Sequence, residues 1–217
     1  MAGRHPFRRA GVSCLRVVLV RHGQTQSNVD LILDTKLPGP PLTGEGRSQA
    51  LKAGLDLAHE PVIAVYASEA ARAQETAAPI ADAHELDVVV LPGVHEVQIG
   101  ELEGRSDQPA VEQYREVYEA WMAGELDRAM PGGGETGRQI LDRYVEALDR
   151  VRSAHAQGTV VLVSHAGVMR FIAGQLVADL DEVAAGRWYL PNTARVVLEV
   201  DHEGWRCLSW PDEQLTA

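Results

Sequence analysis

Arg21, His22, Arg72, Glu96 and His165 each stand shortly after an apolar run, in LRVVLVRH, VIAVYASEAAR, DVVVLPGVHE and TVVLVSH. Neutral imidazole is a competent nucleophile near pH 7, and a covalent intermediate splits one hard displacement into two. Arginine offers paired donors to phosphate or carboxylate. A carboxyl group can protonate a departing alkoxide. Such a set suits phosphoryl transfer, where charge spreads over three equatorial oxygens and catalysis is positioning and electrostatics. Taken singly, each residue has a plainer role. RHG can be a strand-end turn with a solvated arginine, His165 a helix-start histidine, Arg72 a surface arginine and Glu96 a solvated loop charge. The chemical reading gains weight because all of them fall at equivalent strand ends.

The elements that must position these side chains follow from hydrophobic pattern. Residues 15–20, 62–67, 87–91 and 159–164 are short, valine-rich runs of the kind that form fully buried strands. Residues 43–59 read as a helix with Thr43 as candidate N-cap, and Ser68 is the expected cap of a helix through ARAQETAAPIADAH. Further helices are expected over 107–122, 136–156 and 167–177. In the longest, Ile140, Leu141, Tyr144, Val145, Leu148 and Val151 share one stripe. ARVVLEV and WRCLSW, 194–200 and 205–210, suggest a closing antiparallel pair. Alternating strands and helices predict an α/β domain with a mainly parallel sheet. Ligands of such sheets collect outside the carboxyl ends of the strands, where the five residues stand. No repeat or composition break divides the chain. One domain over 14–217 is expected, with 105–135 as a small cap segment and 1–13 as a mobile basic tail.

Composition narrows the partners. Of 217 residues 24% are charged, and the net charge is −11, which argues against nucleic acid. Lys36 and Lys52 are the only lysines, so the positive charge is nearly all arginine, the better fork for an oxyanion. Cys14 and Cys207 show no CxxC or metal spacing, as in a reduced, cytoplasmic protein. No run reaches the length of a membrane span. The histidines show no HxH or HExxH arrangement, so neither metal nor cofactor is expected. PGGGE, 131–135, lacks the GK[ST] of a P-loop and reads as a helix entry, with Glu135 favourable to the helix dipole. Tyr114, Tyr118, Trp121 and Met122 recur at helical spacing and read as core.

Through LVRHGQTQSN, YASEAARAQETA, HEVQIGELEG, PGGGET and VLVSHAGVMR, in that order between residues 19 and 170, the chain resembles the histidine phosphatase superfamily, the phosphoglycerate mutase-like proteins. The resemblance implies that family's three-layer α/β/α sandwich. It also implies His22 as the nucleophile that becomes phosphorylated, and Arg21, Asn28, Arg72 and His165 as the groups holding the phosphoryl; on physical grounds a protonated His165 would add charge to that set. Glu96 would be the proton donor, with Glu101 and Glu103 its competitors on the same loop. Two stretches depart from the pattern: LILDTKLPGPPLT after Asn28, with three prolines, and Val97-Gln98-Ile99-Gly100, where the dedicated mutases carry a tyrosine-glycine and a lysine. The expectation is therefore a metal-independent phosphomonoester hydrolase acting through a phosphohistidine on a small phosphorylated metabolite. Inorganic phosphate or another oxyanion would bind the same site. The rivals are a phosphoglycerate mutase and a non-catalytic phosphate- or phosphoprotein-binding module, and a homodimer is compatible with the chain.

Overall fold

The computed structural model describes residues 14–177, 180 and 190–211; the expected N-terminal tail, 1–13, lies outside them. In chain order come β1 (Leu15–Arg21), α1 (Gln26–Val29), α2 (Gly44–Leu57), β2 (Val62–Ala67), α3 (Ala71–Asp82) and β3 (Val88–Val90). A 3₁₀ turn at Gly100–Leu102 precedes α4 (Gln108–Met122), α5 (Gly137–Ala154), β4 (Gly158–Ser164), α6 (Ala166–Leu176), β5 (Arg195–Asp201) and β6 (Gly204–Ser209). They build one six-stranded sheet in the order β3-β2-β4-β1-β5-β6. β1, β2, β3 and β4 run parallel, β5 pairs antiparallel with β1, and β6 pairs antiparallel with β5.

The side-chain alternation of a strand explains the layers. Val17, Leu19, Val160 and Leu162 enter one core, with Tyr118 and Trp121 of α4, Ile140 and Tyr144 of α5 and Phe171 of α6. Val18, Val20, Val161 and Val163 enter the other, with Ala53 and Leu57 of α2 and Ala73, Ala77 and Ile80 of α3. Helices thus cover both faces of the sheet, and the strands must be apolar at every position. Each fully buried Val or Leu contributes about 1.5–3 kcal/mol of burial free energy, so the centre of the sheet is a rigid platform for whatever follows its strands.

Local sequence sets the helix starts. Thr43 caps α2 by accepting from Gly46 N, Asp107 caps α4 from Ala110 N, and Thr136 forms a reciprocal capping box with Gln139 at α5. Ser68 does not cap α3. The cap position is Ala70, whose methyl group makes no bond, while the Ser68 hydroxyl accepts from Ala70 N at 3.3 Å and bonds His165 Nε2 at 2.7 Å. Nor does Glu135 act chiefly on the dipole of α5. It precedes the cap, and its carboxylate pairs with Arg143 at 2.7 Å and accepts from Gln98 N at 2.8 Å. The short helix α1 was not legible beforehand; a capping box between Thr25 and Asn28 creates it. Tyr118 and Trp121 are fully buried, as expected, whereas Tyr114 and Met122 are partly buried against the same core. Among the described residues no helix is long and apolar enough to cross a membrane.

Candidate active site

His22 is the first residue after β1, and its backbone N–H donates to Ser164 O at the end of β4, 3.1 Å away. Its Nδ1 lies 2.7 Å from Gly23 O. A carbonyl oxygen can only accept, so Nδ1 carries the proton and Nε2 keeps the lone pair. Burial, then the positive charges of Arg72 and Arg21, push the imidazole well below its ordinary value. The side chain is 5% exposed. It is a neutral ring of fixed tautomer at neutral pH.

Arg72 is the second residue of α3 and is 2% exposed. Thr76, one turn on, donates its hydroxyl to Arg72 O at 2.6 Å and accepts from Gly23 N at 2.9 Å. That hydroxyl stitches the first turn of α3 to the loop carrying His22. On its other side the guanidinium meets the proline-rich stretch. Nη2 donates to Asp34 O at 3.4 Å, and a side-chain carbon at Gly39 would lie 2.2 Å from Nη1. Glu103 holds this stretch in place, accepting from Thr35 N, Thr35 Oγ1 and Lys36 N. Arg21 closes β1 and gives its Nη1 to Leu190 O.

His165 follows β4 at the cap position of α6, 5.2 Å from His22 between ring centroids. Burial, then Arg72 and His22, push it too well below the ordinary imidazole range. The expected protonated His165 is therefore corrected: the protein holds it neutral, because it is fully buried beside positive charge. Its Nε2 bonds Ser68 Oγ at 2.7 Å. Its Nδ1 and the Nη1 of Arg72 are buried with no hydrogen-bond partner among the described residues. Buried polar groups left unpaired cost about 1–3 kcal/mol each, and two in one pocket point to a ligand with oxygen acceptors.

Asn28 ends the α1 capping box and connects, through Asn192, to the carbonyl of His22. Glu96 lies in the loop after β3. Its carboxylate accepts from Val97 N (2.9 Å), Gly167 N (2.9 Å) and Val168 N (2.8 Å), which seats it at the start of α6, two residues from His165. Arg143 fixes the loop behind it through Gly93 O, His95 O and Glu96 O. Tyr114 flanks Gly167 alongside the same carboxylate, and burial, then the charge of Glu96, push its phenol well above the ordinary value.

All six residues singled out in the sequence thus gather at the carboxyl edge of the parallel strands. Ser68, Thr76, Gly39 and Asn192 complete the site and were not assigned to it beforehand. Ser68 and Thr76 lie within a motif stretch and Gly39 in the proline-rich stretch that departs from the pattern, and their types read as cap, helix interior and turn.

The site's donors and fixed imidazole suit phosphoryl chemistry, and comparison with known proteins shows an enzyme of the phosphatase type. The model of the histidine phosphatase superfamily (branch 1) matches residues 17–213. A metal-independent phosphoserine phosphatase of Arabidopsis thaliana is 31% identical over 198 residues, 90% of this chain and 81% of that protein. An adenosylcobalamin/alpha-ribazole phosphatase of Salmonella typhimurium is 32% identical over 176 residues, 81% of this chain and 84% of that protein. The solved structure of Bacillus stearothermophilus YhfR matches with a TM-score of 0.76 at 25% identity, covering 92% of this chain and 98% of that one. This chain belongs to the histidine phosphatase superfamily.

Proposed function

We propose that this protein is a metal-independent phosphomonoester hydrolase of small phosphorylated metabolites, working through a phosphohistidine at His22 in the cytoplasm. The observation that carries the reading is the tautomer of His22. The Nδ1 proton is held by Gly23 O, so the nucleophilic lone pair sits on Nε2 in a ring kept neutral by burial and by Arg72 and Arg21.

Nε2 attacks phosphorus and the bond to the ester oxygen breaks. Glu96 gives a proton to the departing alkoxide. Water then attacks the phosphohistidine, Glu96 takes the proton back, the N–P bond breaks, and inorganic phosphate and neutral His22 are regenerated. Arg21, Arg72, Asn28 and Nδ1 of His165 serve as donors to the equatorial oxygens. Hydrolysis is favoured over transfer between hydroxyls by the segment after Glu96. Gln98, where mutases use substrate-holding groups, spends its amide on Thr35 O at 3.0 Å and Glu96 O at 3.1 Å. The relatives named as phosphoserine and ribazole phosphatases support the same choice.

The test is a phosphate-release screen over phosphomonoesters, with and without chelator, combined with an alkaline quench. A phosphoramidate on His22, found by mass spectrometry of the quenched protein and missing from His22→Ala, is expected. Turnover without phosphorylation of His22, or turnover abolished by chelator, would overturn the proposal. With 3-phosphoglycerate and a trace of bisphosphoglycerate, phosphate should appear faster than 2-phosphoglycerate.

A further inference from the structure

One short turn ahead of β5 addresses three site residues at once. Leu190 O accepts from the Arg21 guanidinium, and Asn192 Nδ2 donates to His22 O at 2.9 Å and to Asn28 Oδ1 at 3.2 Å. The backbone on either side is clamped to the end of β1: Thr193 N donates to Arg21 O and Arg21 N donates to Ala194 O, both at 3.0 Å. Ala194 N closes the turn onto Pro191 O at 3.0 Å. Between them Thr193 adopts φ +59, the left-handed region that a β-branched residue seldom enters, with its hydroxyl bonded to Asn192 O at 2.7 Å. Strain of this kind persists where surrounding contacts over-determine a conformation, and it clusters at functional sites.

The hydrogen bonds form an ordered chain. His22 O is a carbonyl and can only accept, so the end of Asn192 that faces it is the NH2. That same NH2 faces Asn28, so the end of Asn28 that faces it is the oxygen. Thr25 N donates to this oxygen as well, at 3.1 Å. With two donors on Oδ1, the amide of Asn28 cannot turn over, and its NH2 is the end left for a phosphoryl oxygen.

We propose that Asn192 is a positioning residue of the active site, which fixes Asn28 as a donor toward the phosphoryl group and anchors the backbone of the nucleophile His22. The inference rests on the phosphohydrolase reading above. Asn192 touches no reacting atom; it acts through Asn28 and His22.

The test is a double-mutant cycle on the full-length protein with vanadate as the probe. Its readouts are vanadate affinity by calorimetry, kcat and KM on p-nitrophenyl phosphate, and the thermal midpoint. Asn28→Ala removes one oxyanion donor and should lower kcat about 10²-fold. Asn192→Ala should lower kcat and vanadate affinity about tenfold in the wild type, and vanadate affinity by less than about threefold once Asn28→Ala is present, because the donor it positions has gone and only its anchor on the His22 backbone is left to lower kcat. Asn192→Asp, equal in size but unable to donate, should be worse than Asn192→Ala in the wild type. A full tenfold loss of vanadate affinity in both backgrounds would make Asn192 a structural residue only, and wild-type vanadate affinity in Asn192→Ala would overturn the proposal outright. If the unaltered protein binds no vanadate, the oxyanion site itself is wrong and this assignment falls with it.

Discussion

Ser68 Oγ stands 2.7 Å from Nε2 of His165, with both residues fully buried. The Ser68 oxygen accepts from Ala70 N at 3.3 Å, and among the described residues the hydroxyl hydrogen has no acceptor other than Nε2, so Ser68 donates to the ring. The proton of neutral His165 must then sit on Nδ1, the atom without a protein partner. His165 can donate to a phosphoryl oxygen without being charged. Ser68→Ala should free the tautomer, leave Nε2 unsatisfied and lower kcat/KM about 10–10²-fold, within the range for weakening one oxyanion donor. Nitrogen NMR should show the His165 proton moving from Nδ1 toward Nε2. Unchanged turnover in this variant would remove the serine from the mechanism.

Stability should fall with acid sooner than an ordinary histidine-containing protein would suggest. His22 and His165 are both pushed well below 6.5 by burial and neighbouring arginine, and His95 is shifted the same way by burial and Arg143. In the unfolded chain these rings protonate near 6.5. Between that value and the depressed folded one the unfolded state binds more protons, so stability is full above pH 6.5 and is lost as pH drops below it. Each buried ring contributes a slope approaching 1.4 kcal/mol per pH unit, roughly, in that window. Urea unfolding at pH 7.0, 6.0 and 5.5 measures this, and His22→Asn with His165→Asn should flatten it. An equal slope in the double variant would show that other groups carry the acid sensitivity.

Much of this site could be read before the fold was known, for a physical reason. Strand ends are marked by valine-rich runs, and a parallel sheet brings its strand ends to one edge. Arg21, His22 and His165 therefore followed from pattern alone, and Arg72 and Glu96 needed only short connections. What escaped was set by hydrogen bonds across long sequence separations. Ser68 looked like a helix cap, because its partner lies 97 residues away on another strand end. Asn192, in a plain PNT turn, contacts Asn28 across 164 residues. The stretch 29–42 was opaque for a third reason: Glu103 and Arg72 bond to it at Asp34, Thr35 and Lys36 from distant parts of the chain, and local propensity says nothing about either.

Gly39 offers a direct probe of that stretch. Its φ is +67, and an added Cβ would lie 2.2 Å from Nη1 of Arg72. Gly39→Ala should displace the guanidinium and approach the loss expected of Arg72→Ala, about 10²–10³ in kcat. Gly133 serves as control, with φ +81 and no atom within 4 Å of its added Cβ. Gly133→Ala should cost about 1–2 kcal/mol of stability from the left-handed backbone and leave kcat near normal. Equal kinetic damage in both variants would mean that backbone strain, and not the position of Arg72, is what the glycine protects.

The proton donor is best tested by leaving group, because Glu96 is also a structural acceptor. Glutamine there cannot accept at both ends from Val97, Gly167 and Val168, so Glu96→Gln should loosen the start of α6 whatever its chemistry. A purely structural loss lowers turnover of all substrates alike. A lost acid spares esters whose leaving group departs as a stable anion, so p-nitrophenyl phosphate should lose less in the phosphorylation step than an alkyl phosphate, by about 10² or more. The phosphoenzyme should also accumulate, since water loses its base. Glu101 is exposed, and Glu101→Gln should be near normal. Glu103 is a different matter. Its carboxylate holds Thr35 and Lys36, and through them the stretch that packs on Arg72, so Glu103→Gln should raise KM for alkyl and aryl substrates equally. Burst kinetics on paired alkyl and aryl phosphates separate these outcomes. If Glu103→Gln shows the selective alkyl defect and Glu96→Gln the uniform one, the acid is Glu103 and Glu96 serves only as acceptor for the first N–H groups of α6.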